Sequence, residues 1–255
     1  MTNNLQSAKE LYWRWRADVK RLLREPLDYR ACQAIVAGKR GIEIGGPSRL
    51  FQRDFPIYQA VGTLDGVNFN TSTIWEGQLT EGPHYRYLPE RLGYQYISDA
   101  TNLSRLSDES YDFVLSSNNL EHIANPLKAL EEWLRIIRPG GHLLLVLPRK
   151  ESNFDHLRNI TPFRHLLDDF EAGVTEHDLT HLDEILKLHD HLRDPLARGP
   201  DAFRRRSLAN FENRCLHHHV FDPVLIGSMF NHFGLKPLLA LNTPINYIAI
   251  AQKGA

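Results

Sequence analysis

Apolar residues in this chain fall either into short continuous runs or into stretches of helical spacing, the pattern of strands alternating with helices. Residues 5 to 24 place Leu5, Leu11, Trp15, Val19, Leu22 and Leu23 at mostly helical spacing, which predicts an amphipathic helix, with a second over Tyr29 to Ala37. Gly41 to Ile44 reads as a first strand, about Tyr58 to Leu64 as a second, and Tyr94 to Ile97 as a third. Gly66 to Gly93 follows no clean period and reads as an ordered loop insertion. Tyr111 to Leu115 forms a fourth, buried strand. Asn125-Pro126 then supplies an N-cap and a first-turn proline to a helix that buries Leu127, Leu130, Leu134 and Ile137 and stops at Pro139-Gly140-Gly141. His142 to Leu147 is the nearly continuous aliphatic run that a parallel sheet covered on both faces requires. After a long polar segment, a helix begins near Asp222-Pro223, and Leu238 to Leu241 and Tyr247 to Ala251 make a closing strand pair. The order predicts an α/β protein with a doubly wound, mostly parallel sheet. It divides into an N-terminal helical segment (1–40), a core (41–150), a lid (151–220) and a closing helix with its strand pair (221–255).

Composition narrows the functions open to this fold. The chain has 255 residues, with 30 basic against 31 acidic side chains and a formal charge of −1, so no whole-protein field favours nucleic acid or an anionic membrane. Cys32 and Cys215 stand far apart without metal-type spacing, which suits a reducing compartment. No apolar run approaches the roughly 20 residues of a membrane span, and the polar N-terminus lacks a signal-peptide core. A cytoplasmic protein is expected.

The most informative motif is Gly41-Ile42-Glu43-Ile44-Gly45-Gly46-Pro47-Ser48, with Asp65 following. In a parallel sheet the first strand-to-helix turn lets backbone approach a ligand, and an acidic side chain roughly 20 residues on accepts ribose hydroxyls. The pair points to a nucleoside-type cofactor. Together with Ser98-Asp99-Ala100, the run Tyr111 to Ile123 and the run Leu134 to Pro148, this motif resembles the class I S-adenosylmethionine-dependent methyltransferases, small-molecule (type 11-like) branch. The resemblance covers about residues 38 to 150 and the terminal strand pair.

That resemblance implies a seven-stranded Rossmann-like sheet and S-adenosylmethionine as methyl donor, with S-adenosylhomocysteine as product. Residue by residue, it implies that Glu43, Gly45 and Gly46 form the turn under the methionine part, that Asp65 is the ribose acceptor, and that Asp99 and Ala100 lie beside the adenine. Ser116 and Ser117 correspond to residues whose backbone meets the methionine amino group, and His122 to a positioning residue near the cofactor. Pro47 and Arg49 stand where the family usually has further glycines. Pro47 removes a backbone donor, which would harm a pyrophosphate site more than a sulfonium site and so tilts against a nicotinamide oxidoreductase.

Nine of the 13 histidines lie between Arg149 and Val220, where the resemblance implies a substrate lid. Thr175 caps a predicted helix that continues to Arg193 before Pro195, with Leu179, Leu182, Ile185 and Leu186 as its buried stripe and His189 inside that stripe. His177, His181, Glu184 and His191 share a flank, and the i, i+4 histidines with Glu184 one turn on have a spacing able to hold a divalent metal, but no matched third ligand is visible elsewhere and no metal is assigned. Arg204-Arg205-Arg206 offers a clamp for an anionic substrate group, or a solvated helix face. Methyl transfer needs a base only when the acceptor must lose a proton, so a histidine-rich lid suggests O-methylation of a small molecule or glycan, with His189, His217 or His218 as general base. Competing readings are a nicotinamide-dependent oxidoreductase, a nucleic-acid methyltransferase, for which the characteristic catalytic motifs are missing, and a non-catalytic protein that binds S-adenosylmethionine or a metal. Neither the acceptor nor the oligomeric state is legible in the sequence.

Overall fold

The computed structural model describes residues 29–194 and 196–255; the helix predicted over residues 5 to 24 lies outside them. Helix α1 (Arg30–Val36) leads into β1 (Arg40–Ile44), followed by β2 (Thr63–Asn68), the short pair β3 (Ser72–Thr73) and β4 (Gly77–Gln78), β5 (Gly82–Leu88), β6 (Arg91–Ile97) and β7 (Tyr111–Ser117). Helix α2 (Pro126–Ile136) returns to β8 (Ile137–Pro148), and α3 (Phe163–Ala172), α4 (Leu182–Leu188), α5 (Pro200–Leu208) and α6 (Asn210–Asn213) occupy the segment read as a lid. The chain closes with α7 (Pro223–His232), β9 (Lys236–Asn242) and β10 (Asn246–Gln252).

The main sheet has eight strands in the order β5-β6-β2-β1-β7-β8-β10-β9. The pairs β6/β2, β2/β1, β1/β7 and β7/β8 are parallel, whereas β5/β6, β8/β10 and β10/β9 are antiparallel. Strand order reverses at β1, so the ends of β1 and β7 open the crevice in which ligands of doubly wound sheets bind. The strand beyond the expected seven is β5, which arises from the segment read as a loop. Tyr85 and Tyr87 in β5 alternate onto one buried face, a period-two signal that glycine and polar neighbours obscure.

Alternation along the central strands divides the core between the two faces. Ile42, Val114, Leu143, Leu145 and Leu147 join one cluster with Leu127, Leu130 and Trp133 of α2. Phe113, Leu115, Leu144 and Val146 join the other with Cys32 and Val36 of α1, Phe51 and Tyr58. Each such fully buried side chain contributes about 1.5–3 kcal/mol. Helix α2 forms where expected because Asn125 caps it, accepting a hydrogen bond from Lys128 N at 3.0 Å, and Pro126 occupies its first turn. Asp222 caps α7 in the same way through Leu225 N at 2.7 Å.

Two sequence boundaries move. Residues 57–59 form a 3₁₀ turn and β2 begins only at Thr63, so the second strand runs later than its hydrophobic run suggested. The long lid helix is confined to Leu182–Leu188, although the expected stripe holds: Leu182 and Ile185 are buried, with Leu179 and Leu186 packed against them. No described helix is long and apolar enough to cross a membrane.

Candidate active site

Strand β1 delivers the chain to a turn that tolerates no side chain. Gly45 adopts φ +83°, and a Cβ there would sit 2.5 Å from Asn119 Oδ1. At Gly46 a Cβ would lie 2.3 Å from both Glu43 Cδ and the Tyr85 hydroxyl. Beneath the turn the fully buried Glu43 accepts hydrogen bonds from Ser48 N at 3.2 Å, from the Tyr85 hydroxyl at 2.5 Å and from the Tyr58 hydroxyl. Burial raises its carboxyl from 4.5 to about 7 against the opposing pull of the two tyrosines. Glu43 therefore braces the turn from below.

This burial makes a stability prediction. The native carboxyl holds its proton to higher pH than the unfolded one, so this group's contribution is full below the unfolded value of 4.5 and is lost as pH rises through about 7. The loss is about 3 kcal/mol. Glu43→Gln should remove that component, so the wild-type minus variant difference in urea stability should shrink between pH 5 and pH 8. A difference that does not change with pH would refute the assignment.

Above the turn the ends of β1, β2, β6 and β7 enclose a cavity of about 550 Å³. Its core-side wall includes Gly45, Asn68, Asp99, Ala100, Ser117, Asn118 and Asn119. Ser117 Oγ, Asn118 Oδ1 and Asn119 Nδ2 are buried there without a hydrogen bond, and Asn118 is held at φ +47°. Buried polar atoms left without partners in a cavity wall are what a polar ligand would satisfy.

The expected cofactor residues divide accordingly. Gly45, Asp99, Ala100 and Ser117 line the cavity, whereas Glu43 and Gly46 shape the turn from behind. Ser116 is fully buried and outside the wall, as alternation along β7 requires. Asp65 is a correction. It lies early in β2, opposite Ile42, and is tied by Tyr94 N at 2.9 Å, the Tyr111 hydroxyl at 2.8 Å and Arg40 at 3.2 Å. The late start of β2 puts Asn68 at the strand end in its place; its Nδ2 donates to Gly46 O at 2.8 Å. Reading the strand through Gly66, which makes room for the Tyr85 ring, would have found Asn68.

Across the cavity the segment between β8 and α7 brings a second set of groups. Arg214 bridges Asp99 at 3.0 Å and Glu176 at 3.1 Å, and its guanidinium lies 5.3 Å from the Phe69 ring centre. Arg206, the last of the arginine triplet, reaches the wall and pairs with Asp194 at 2.9 Å. His122 and His217 both line the cavity, with ring centres 4.5 Å apart. His122 Nδ1 lies 3.1 Å from Leu216 O, so it carries the ring proton and leaves Nε2 basic. Burial, reinforced by His217, keeps His122 well below the ordinary histidine range.

His217 Nδ1 meets Asp155 Oδ2 at 2.5 Å, and Asp155 Oδ1 meets Arg158 at 3.1 Å. Burial works against the imidazolium, but the charge and hydrogen bond of Asp155 outweigh it and lift His217 above 6.5. Burial likewise opposes ionisation of Asp155, yet His217 and Arg158 hold it at about 2. Glu121, His122 and His217 also place donor atoms within 4.8 Å of one another, a set able to hold a cation.

The other two histidine assignments are corrected. His189 lies outside the wall, stacked on Phe203 at 3.9 Å and 3.1 Å from Asp194 Oδ2, so it fixes Asp194 instead of meeting a substrate. His218 is fully buried outside the wall, 3.0 Å from Asn210 and 3.6 Å from Glu176. Consecutive residues of an extended segment alternate sides, so His217 and His218 cannot both face the ligand.

Residues 68–145 match the family profile described as "Methyltransferase domain", type 11. Those residues run from the end of β2 into β8, so the match falls on the part of the sheet that frames the cavity. The chain is 31% identical over 80 residues to the demethylmenaquinone methyltransferase of Clavibacter sepedonicus, a match spanning 31% of this chain and 32% of that protein. It is 22% identical over 218 residues to the ubiquinone biosynthesis O-methyltransferase of Dechloromonas aromatica, covering 85% of this chain and 79% of that protein. A solved S-adenosylmethionine-dependent methyltransferase from Aquifex aeolicus is 13% identical with a TM-score of 0.42, covering 92% of this chain and 97% of its own.

Proposed function

We propose that this protein methylates a hydroxyl group of a small, ring-containing acceptor, with S-adenosylmethionine as donor and His217 as general base. The observation that carries the reading is one cavity with unsatisfied polar atoms on its core wall and the Asp155–His217 pair opposite. The residues present suit the cofactor. The cavity falls within the range of about 300–1,000 Å³ usual for small-molecule sites, and the Gly45 turn leaves the space that a Cβ would fill. Asn68 and Asp99 stand ready for ribose and adenine, and Ser117, Asn118 and Asn119 for the methionine portion.

When bound, the cofactor supplies a methyl group already activated on a sulfonium. The protein's own task is alignment, exclusion of water and removal of a proton. Asp155 orients His217 and favours its cation, so the imidazole can take the acceptor's hydroxyl proton as the oxygen attacks. His122, held by Leu216 O, packs edge-on against His217 and keeps its ring in place. Ile74, Trp75, Phe154 and Ile245 give the acceptor end apolar walls. Those walls, and the relatives named for quinone methylation, support a hydroxylated ring as substrate class.

Calorimetric titration with S-adenosylmethionine tests the reading. The wild-type protein should bind one equivalent. Gly45→Ala should weaken binding at least about tenfold, since strain at a positive φ costs of order 1–3 kcal/mol. Saturation by a nicotinamide nucleotide, with no heat from S-adenosylmethionine, would reject the proposal.

A further inference from the structure

Three imidazoles and a carboxylate meet away from the cavity, where the lid lies against the core. His165 and Asp169 project from α3 one turn apart, His181 comes from the turn before α4, and His219 from the extended segment just beyond His217. His165 Nε2 lies 2.9 Å from His181 Nε2 and 3.3 Å from Asp169 Oδ2, and His219 Nε2 lies 3.6 Å from the same oxygen. One donor atom from each of the four lies within 4.8 Å of every other. Ligands bound tetrahedrally at 2.0–2.1 Å stand about 3.3 Å apart, so these separations suit one central ion.

Hydrogen bonding alone accounts poorly for the arrangement. His219 Nε2 stands 3.1 Å from Ala124 O, but its Nδ1 has no partner, and Asp169 Oδ2 is buried and accepts no hydrogen bond although two ring nitrogens stand close to it. His165 and His181 face one another nitrogen to nitrogen, so only one of those atoms can carry a proton. A cation at the centre would engage the imidazole lone pairs and the carboxylate together, with His219 giving up its Nε2 proton and the contact to Ala124 O.

We propose that His165, Asp169, His181 and His219 bind one divalent cation of the zinc class. Three imidazole nitrogens and one carboxylate oxygen favour zinc over magnesium or calcium, which prefer oxygen ligands. Four protein donors fill a tetrahedral shell, so the ion is structural. It ties α3 and the α4 turn to the segment that carries His217, and it is distinct from the Glu121, His122 and His217 group in the cavity. His177, the residue that sequence spacing pairs with His181, is exposed and stacked on Phe211 at 3.9 Å, outside this site.

The test is titration of chelator-treated protein with Zn²⁺ alone, against a competing chromophoric chelator, with circular dichroism to verify folding. One equivalent should bind, and Asp169→Asn and His181→Ala should each weaken binding at least about tenfold. His177→Ala and His122→Ala should bind as wild type does. If the ligand variants do not fold, Co²⁺ added to wild-type protein decides: the intense visible bands of four-coordinate cobalt support the site, and the weak bands of six-coordinate cobalt overturn it. Failure of wild-type protein to bind Zn²⁺ saturably, unchanged affinity in folded His181→Ala, or loss of binding in His122→Ala would also overturn it. None of these outcomes depends on binding of S-adenosylmethionine.

Discussion

Replacement of His217 by alanine should lower kcat by about 10²–10⁴-fold, the usual contribution of a positioned general base, while S-adenosylmethionine still binds. The expectation rests on His217 being the cavity-lining imidazole that is anchored by a carboxylate, through Asp155 at 2.5 Å. The base acts in its neutral form, and its affinity for a proton is raised above 6.5. In wild-type protein kcat/KM should therefore climb with pH along a limb lying above 6.5, and the variant should lose that limb. Added imidazole should restore part of the rate. A His217→Ala protein with full activity at every pH would remove the histidine from the mechanism and leave an acceptor that needs no deprotonation.

The largest expected loss of stability comes from Arg158→Ala. Arg158 is 1% exposed, and its guanidinium donates to Asp155 at 3.1 Å, His217 O at 2.7 Å and His218 O at 3.1 Å. Truncation leaves the buried Asp155 charge with one partner fewer and two buried carbonyls without their donor. Removing one partner of a buried pair typically costs about 3–5 kcal/mol, and that is the expected drop in stability by denaturant unfolding. Arg158→Lys should fall between the two proteins, because an ammonium keeps the charge but cannot span all three acceptors. A loss below about 1 kcal/mol for the alanine variant would mean that water replaces the guanidinium and that the site is wetter than its burial indicates.

Several features were legible because their causes are local. The Asn125-Pro126 helix start, the run from His142 to Leu147 and the Gly45 turn each follow from neighbouring residues, through a cap, a two-sided burial pattern and a positive φ. Asp65 misled because an acidic residue before a glycine near the end of an apolar run looks like a strand end. Only pairing with β1 showed that β2 begins later and continues to Asn68. His189 misled for a related reason. Helical phase correctly assigned it to a buried stripe, but phase does not distinguish a stripe facing Phe203 from one facing a ligand.

The sequence by itself therefore determined the alternation of strands and helices, the doubly wound class, the glycine turn and the concentration of imidazoles in the lid, all properties that contiguous residues encode. Tertiary structure alone decided which imidazoles meet which carboxylates. His217 finds Asp155 62 positions away, and Arg214 reaches Asp99 115 positions away. His219 comes near Asp169 from 50 positions further along the chain. Such partners are chosen by how the segment between β8 and α7 packs onto the sheet ends, and no local periodicity records that packing.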